Sequence, residues 1–301
     1  MGSPEISLPF LDFLYKKESI CAVFTQPDKI RARGKKPLPT PVSIRADELG
    51  IPVYKCSVKS PEAFEIMNTI KPDILFVVAY GQIVPRPVLN IPELYPLNVH
   101  FSLLPQYRGA TPVNTSLLEG KEKTGTTIMI MDEGLDTGKI LLKAECPVSR
   151  DDNATSLFEK LIGISLDLLE ENWGKICSGE LKATPQNNEE ATYTKLIKKE
   201  DLILDFKDNS NNLNNRIRAF NFEPGTKTFF RGKTLFIEKA ESLSEINGNP
   251  GEIIAVEKKS FTVGCIEGAI KILAVKPEGK RSMHSEAFIN GYKPIPGERL
   301  G

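Results

Sequence analysis

The chain has 301 residues, of which 40% are hydrophobic and 26% charged, with 39 basic and 39 acidic side chains. Such a composition describes a soluble globular protein of one large or two ordinary domains, with length to spare for a buried core. It excludes a membrane-spanning chain, since no apolar run is long enough, and the balanced charge advertises no nucleic-acid partner, although balance can hide local patches. The five cysteines, Cys21, Cys56, Cys146, Cys177 and Cys265, are scattered and odd in number. They form no C-x-x-C pair, so they read as reduced thiols of a cytosolic protein rather than metal ligands or a disulfide framework.

In chain order, residues 20–24 read as a buried strand and 41–49 as a helix with proline in its first turn. A short strand follows at 51–54, and Ser60 caps a helix with an acidic first turn. Residues 73–79 form a continuous apolar strand of the kind buried on both faces. Another strand covers 97–101, a helix 112–118, and two further strands 126–131 and 140–144. Residues 154–177 make a long amphipathic helix, with Leu157, Leu161, Ile164, Leu168 and Leu169 along its apolar stripe. Asn153 opens it as a cap, although Asn153-Ala-Thr155 also fits a glycosylation sequon in form. This alternation predicts an α/β fold, Rossmann-like, with a mostly parallel sheet and right-handed crossovers.

The texture turns polar at 180–198, which reads as a linker between a domain at 1–179 and another at 199–301. Beyond it come a helix at 211–220 and short strands at 227–231, 234–240, 251–256, 260–265 and 269–275. Turn signals between them predict a small β-barrel.

The candidate chemistry sits where strand 97–101 runs out into loop. Asn98 and His100 are two residues apart, so on a strand both side chains address one point. Asp136 follows in the glycine-bracketed loop Gly134-Leu-Asp-Thr-Gly138. An amide donor beside an imidazole suits acyl-type transfer, because one stabilises an oxyanion and the other moves a proton. The plainer alternative is a satisfied polar pair at a strand end. Asp132 and Glu133 offer a second carboxylate site, or simply solvated hairpin residues. His284 is assigned no chemistry.

Several runs carry a resemblance: Asn98-Val-His100-Phe-Ser102-Leu103-Leu104-Pro105, Tyr107-Arg108-Gly109-Ala110-Thr111-Pro112, and Thr126 through Gly138. Together they resemble the formyltetrahydrofolate-dependent formyltransferases over nearly the whole chain. The resemblance implies that Asn98, His100 and Asp136 are the catalytic trio, and that 10-formyltetrahydrofolate is the co-substrate. It implies no metal. The family's folate pocket maps onto Ser102, Leu103, Leu104 and Pro105, with Val78, Ala79, Tyr80, Gly81 and Gln82 as a second wall. Leu103 and Leu104 also read as plain core. The acceptor implied is the α-amino group of initiator methionyl-tRNA, for translation initiation.

Two features favour that acceptor over a small one. The loop at 26–41 carries Arg31, Arg33, Lys35 and Lys36 among glycines and prolines, and the family places such a loop in the acceptor stem. Taken alone, the loop reads as a solvated charge run, and it is the resemblance that turns it toward RNA. The C-terminal domain, with Arg218 and Lys233, resembles an OB-like module that grips tRNA. The family reading further implies a cytoplasmic monomer, with no membrane association. An amino-sugar nucleotide or similar small amine is the alternative acceptor, and an RNA-binding module on a decayed scaffold is the non-enzymatic one. One departure stands out. Gly2-Ser3-Pro4 resembles the turn after the family's first strand, so that central strand is expected to be missing here, with the true start upstream.

Overall fold

The computed structural model describes residues 1–28, 37–221 and 224–301. The chain divides into two compact units, one of residues 1–110, 124–147 and 158–194, the other of 111–123, 148–157 and 195–301.

The first unit opens with helix α1 (Leu8–Lys17), followed by β1 (Val23–Phe24), α2 (Pro41–Glu48), β2 (Val53–Tyr54), α3 (Pro61–Ile70), β3 (Ile74–Val77), α4 (Arg86–Leu89) and β4 (Tyr95–His100). Helix α5 (Pro112–Leu118) belongs to the second unit; β5 (Lys123–Ile130), β6 (Ile140–Pro147) and α6 (Ala154–Cys177) then return to the first for most of their length. The helix starts obey local chemistry. Thr40 and Ser60 accept the N–H of Ser43 and Ala63, and the Asn153 side chain accepts that of Ser156 at 3.0 Å. Helix α1, absent from the sequence reading, buries Phe10 against Phe76 and Phe101, with ring centroids 6.4 and 6.3 Å apart.

Strands β3, β4, β5 and β6 form one sheet in that order. The β3–β4 pair is parallel and β4–β5 antiparallel, with His100 opposite Thr127. Strands β1 and β2 form a separate parallel pair. What joins the two sheets is the extreme N-terminus. The Met1 nitrogen donates to Phe76 O at 2.6 Å, Val78 N–H to Met1 O at 3.0 Å, and Gly2 N–H to Phe24 O at 3.2 Å. Met1 and Gly2 therefore occupy one end of a strand position between β1 and β3. The strands flanking this position are shorter than the apolar runs that form them, 23–24 within 20–24 and 74–77 within 73–79, and coincide with their ladders to β2 and β4.

The second unit contains α7 (Ser210–Ala219), β7 (Thr226–Phe230), β8 (Lys233–Leu243), β9 (Ile253–Val256), β10 (Phe261–Gly264), β11 (Ala269–Pro277), β12 (Met283–His284) and α8 (Ser285–Tyr292). The sheet runs β7-β8-β11-β10-β9, with β12 beside β11, and its pairings are antiparallel. Residues 299 and 300 bridge its two ends, Leu300 to Phe230 and Arg299 to Glu252, which closes the expected small barrel. Phe261 stacks on Phe288 in the core, with Ile237, Ile272 and Leu213 fully buried around them. Among the described residues no helix is long and apolar enough to cross a membrane.

Candidate active site

Strand β4 delivers the site. Leu97 and Val99 point into the core, while the alternation of the strand puts Asn98 and His100 together on its other face. His100 is 6% exposed, and its Nε2 lies 2.9 Å from the carbonyl oxygen of Tyr107. A carbonyl only accepts, so Nε2 carries a proton and donates it there, which leaves Nδ1 on the side of Asp136. That nitrogen stands 3.7 Å from Asp136 Oδ2, close enough for charge attraction and too long for a hydrogen bond. The same carboxylate oxygen accepts the N–H of Gly109 at 2.7 Å. Asn98 is half-buried, and among the described residues its amide makes no side-chain hydrogen bond.

The segment 107–109 thus sets both partners: its first residue holds the imidazole and its last the carboxylate. Two members have left-handed backbone, Tyr107 with φ 59° and Gly109 with φ 114°, and Asp136 shares that strain with φ 54°. Between them Arg108 is 1% exposed. Its guanidinium donates to Gln186 Oε1 from Nε and Nη2 (3.1 and 2.8 Å), to Asn188 Oδ1 (2.8 Å) and to the Tyr193 hydroxyl (3.2 Å). The Gln186 amide in turn donates to the backbone carbonyls of Asp136 (2.9 Å) and Gly138 (2.7 Å). Backbone bonds from Arg108 N–H to Thr192 O and from Thr194 N–H to Arg108 O, both 2.8 Å, complete the strap. Sequence reasoning missed Arg108 and Gln186 as site residues. A buried arginine with neutral partners leaves no charge pattern to find, and Gln186 lies in the polar stretch that reads as linker.

The segments expected to hold folate leave the carboxyl ends of the parallel neighbours β3 and β4. Ser102 is fully buried and donates to Gln106 O at 2.6 Å, and its own carbonyl accepts the Thr127 hydroxyl at 2.7 Å. Leu104 is fully buried and Leu103 half-buried, so the first is core and the second reaches a surface. The Leu104–Pro105 peptide is cis. In the other wall, Val78 and Tyr80 are buried, and burial pushes the Tyr80 phenol up to about 12. Ala79 (φ 45°) and Gly81 (φ 75°) turn the chain, and the half-buried Gln82 accepts the N–H of Val58 at 3.2 Å.

Of the residues expected to meet RNA, Arg31, Arg33, Lys35 and Lys36 lie outside the described residues. Lys233 is exposed at the turn between β7 and β8. Arg218 points inward within the second unit. Its Nη1 donates to the carbonyls of Ser149, Arg150 and Asp152 at 3.0–3.1 Å and its Nη2 to Asn215 at 2.7 Å, so it staples a loop. Burial lowers its pKa from the usual arginine value. No group of three or more potential metal ligands occurs among the described residues.

The arrangement is thus an amide and an imidazole on one face of β4, with a carboxylate on a glycine-bracketed loop 3.7 Å from the ring. Residues 13–167 match the formyl transferase family and residues 196–293 its C-terminal domain; the chain belongs to this family. Curated relatives named methionyl-tRNA formyltransferase match end to end. The protein from Kosmotoga olearia is 42% identical over 100% of this chain and 98% of its own, and that from Geobacter sulfurreducens 38% over 100% and 95%. Among solved structures, an N-formyltransferase from Helicobacter canadensis, in complex with folinic acid and dTDP-3-aminofucose, shares the fold. It superposes with a TM-score of 0.66 at 24% identity, over 90% of this chain and 96% of that one. HypX from Aquifex aeolicus, bound to tetrahydrofolic acid, gives 0.63 at 18% identity over 84% and 45%.

Proposed function

We propose that this chain transfers the formyl group of 10-formyltetrahydrofolate to the α-amino group of initiator methionyl-tRNA. The observation that carries the reading is the end-to-end identity with relatives bearing that activity in their names, in a chain whose Asn98, His100 and Asp136 meet the chemistry. A neutral amine attacks the formyl carbon, and the carbonyl electron pair moves onto oxygen. The uncommitted Asn98 amide donates to that oxyanion. His100 has Nε2–H tied to Tyr107 O, so Nδ1, facing Asp136, is the nitrogen available to move the proton lost by the amine. Collapse breaks the bond from carbon to N10, which takes up a proton. Asp136, fixed by Gly109 N–H, orients the imidazole.

Ser102 through Pro105 and Val78 through Gln82 would wall the pterin, since both segments extend from the carboxyl ends of neighbouring strands, where ligands of open α/β sheets bind. Arg31, Arg33, Lys35, Lys36 and Lys233 would meet tRNA phosphates, which position without reading sequence. Arg218 would act through the loop 149–152 that it holds. We assign the protein to the cytoplasm as a monomer.

The test is acceptor choice. Formyl transfer is measured with initiator methionyl-tRNA and, separately, with a dTDP-amino sugar, each at saturating 10-formyltetrahydrofolate. Transfer to the tRNA alone is expected. Transfer to the sugar nucleotide with none to the tRNA would replace this reading with the small-acceptor one.

A further inference from the structure

Residues 192–194 run alongside 107–109 in the first unit, with Tyr193 and Arg108 paired in a parallel bridge. The threonines on either side turn toward that segment. The Thr192 hydroxyl accepts the N–H of Tyr107 at 2.8 Å, and the Thr194 hydroxyl donates to Arg108 O at 3.3 Å. Alternation along an extended chain sends the Tyr193 side chain the other way, where it is 59% exposed.

An exposed tyrosine ring is ordinarily free to turn, but this one is pinned. Its hydroxyl accepts from Arg108 Nη1 at 3.2 Å, and the guanidinium carbon lies over the ring, 5.8 Å from its centroid. Arg108 is itself buried and held by Gln186 and Asn188, so the anchor behind the ring is rigid. A ring backed by a cation and largely open to solvent offers a flat apolar face at little entropic cost, because its torsions are already set.

The same bonds place the ring relative to the chemistry. Gln186, which accepts twice from Arg108, donates to the backbone carbonyls of Asp136 and Gly138. Thr194 abuts Gly109: a Cβ built on that glycine would stand 2.6 Å from the Thr194 hydroxyl, and the Gly109 N–H holds Asp136. Tyr193 therefore lies on the Asp136 side of His100, the side of Nδ1, to which the attacking amine gives its proton. In an aminoacyl-tRNA that amine is joined to the terminal base through one ester and one ribose, so the base arrives with it.

We infer that Tyr193 is a binding residue for the acceptor, on whose open face the base of the terminal nucleotide of methionyl-tRNA stacks. The inference rests on the formylation of methionyl-tRNA proposed above. Stacking accepts any base, since each has a π-face. It adds affinity at the end of the RNA and fixes the ribose ester, and through it the amine, beside Nδ1.

The test follows transfer to methionyl-tRNA and to the same tRNA made abasic at its terminal nucleotide and acylated chemically. The parent chain is compared with Tyr193→Leu and Tyr193→Phe. On intact tRNA, Tyr193→Leu is expected to lower kcat/KM by at least about tenfold, and Tyr193→Phe, which keeps the ring, to recover most of that loss. The KM for 10-formyltetrahydrofolate is expected to stay unchanged. On abasic tRNA the parent already carries the loss, and Tyr193→Leu adds less than about twofold. A tRNA with 2-aminopurine as its terminal base should lose fluorescence on binding the parent and keep it on binding Tyr193→Leu. Equal losses from Tyr193→Leu on intact and abasic tRNA would mean that the ring only supports the strap, and a rise in the folate KM alone would put the ring against the co-substrate; either result overturns the proposal. Failure of the folded parent to formylate intact tRNA overturns the reading beneath it, and is seen before any variant is compared.

Discussion

Two regions of the first unit are held in opposite ways. Residues 107–109 are gripped from every side: a buried arginine fork, backbone bonds to 192 and 194, and the imidazole and carboxylate of the site itself. The seam between β1 and β3 is crossed by the backbone of Met1 and Gly2, over an apolar trough. The contrast teaches that the candidate site is framed locally, by β4 and by the strap 186–194, rather than by the seam.

The site gives the largest effect, and should lose rate without losing stability. Asn98→Ala is expected to reduce kcat by two to three decades, about 3–4 kcal/mol, with an unchanged melting curve. Arg108→Lys lies in between. Lysine cannot reproduce the fork that spans Gln186, Asn188 and Tyr193, and stranded acceptors should cost about 2–3 kcal/mol of stability. Its kcat should fall with KM little changed, because the segment holding His100 and Asp136 loosens. Gln186→Ala is the smallest, at about 1–2 kcal/mol, and breaks the link from Arg108 to the backbone of the Asp136 loop. If Arg108→Lys and Gln186→Ala lower stability but leave the pH profile and kcat untouched, the strap is structural only and the contrast dissolves.

Much of this was legible in residues. The alternation of apolar strands with capped helices gave the α/β unit, and Ser60 and Asn153 cap as their sequence positions imply. The turn spacing after 226 gave the small barrel. That Asn98 and His100 share a face could be read because a strand's period of two is a local pattern, and the structure brings Asp136 to 3.7 Å from His100. Helix α1 carries Phe10, Leu11 and Leu14 at i, i+3 and i+4 spacing, so its stripe was there to be read, and Pro9 suits a first turn. The closing of the barrel by residues 299–300 and the Arg108–Gln186 link join positions far apart in the chain, and no short-range pattern carries them. The antiparallel β4–β5 pair is likewise a fact of pairing, which periodicity does not encode.

The most direct test of the central claim is single-turnover formyl transfer from 10-formyltetrahydrofolate to initiator methionyl-tRNA, comparing this chain with its His100→Ala variant. The account predicts formylated tRNA from the parent chain, and a rate lower by at least about two decades in the variant, with tRNA binding unchanged. Equal rates in the two proteins, or no transfer by a folded parent chain that binds both substrates, would contradict it.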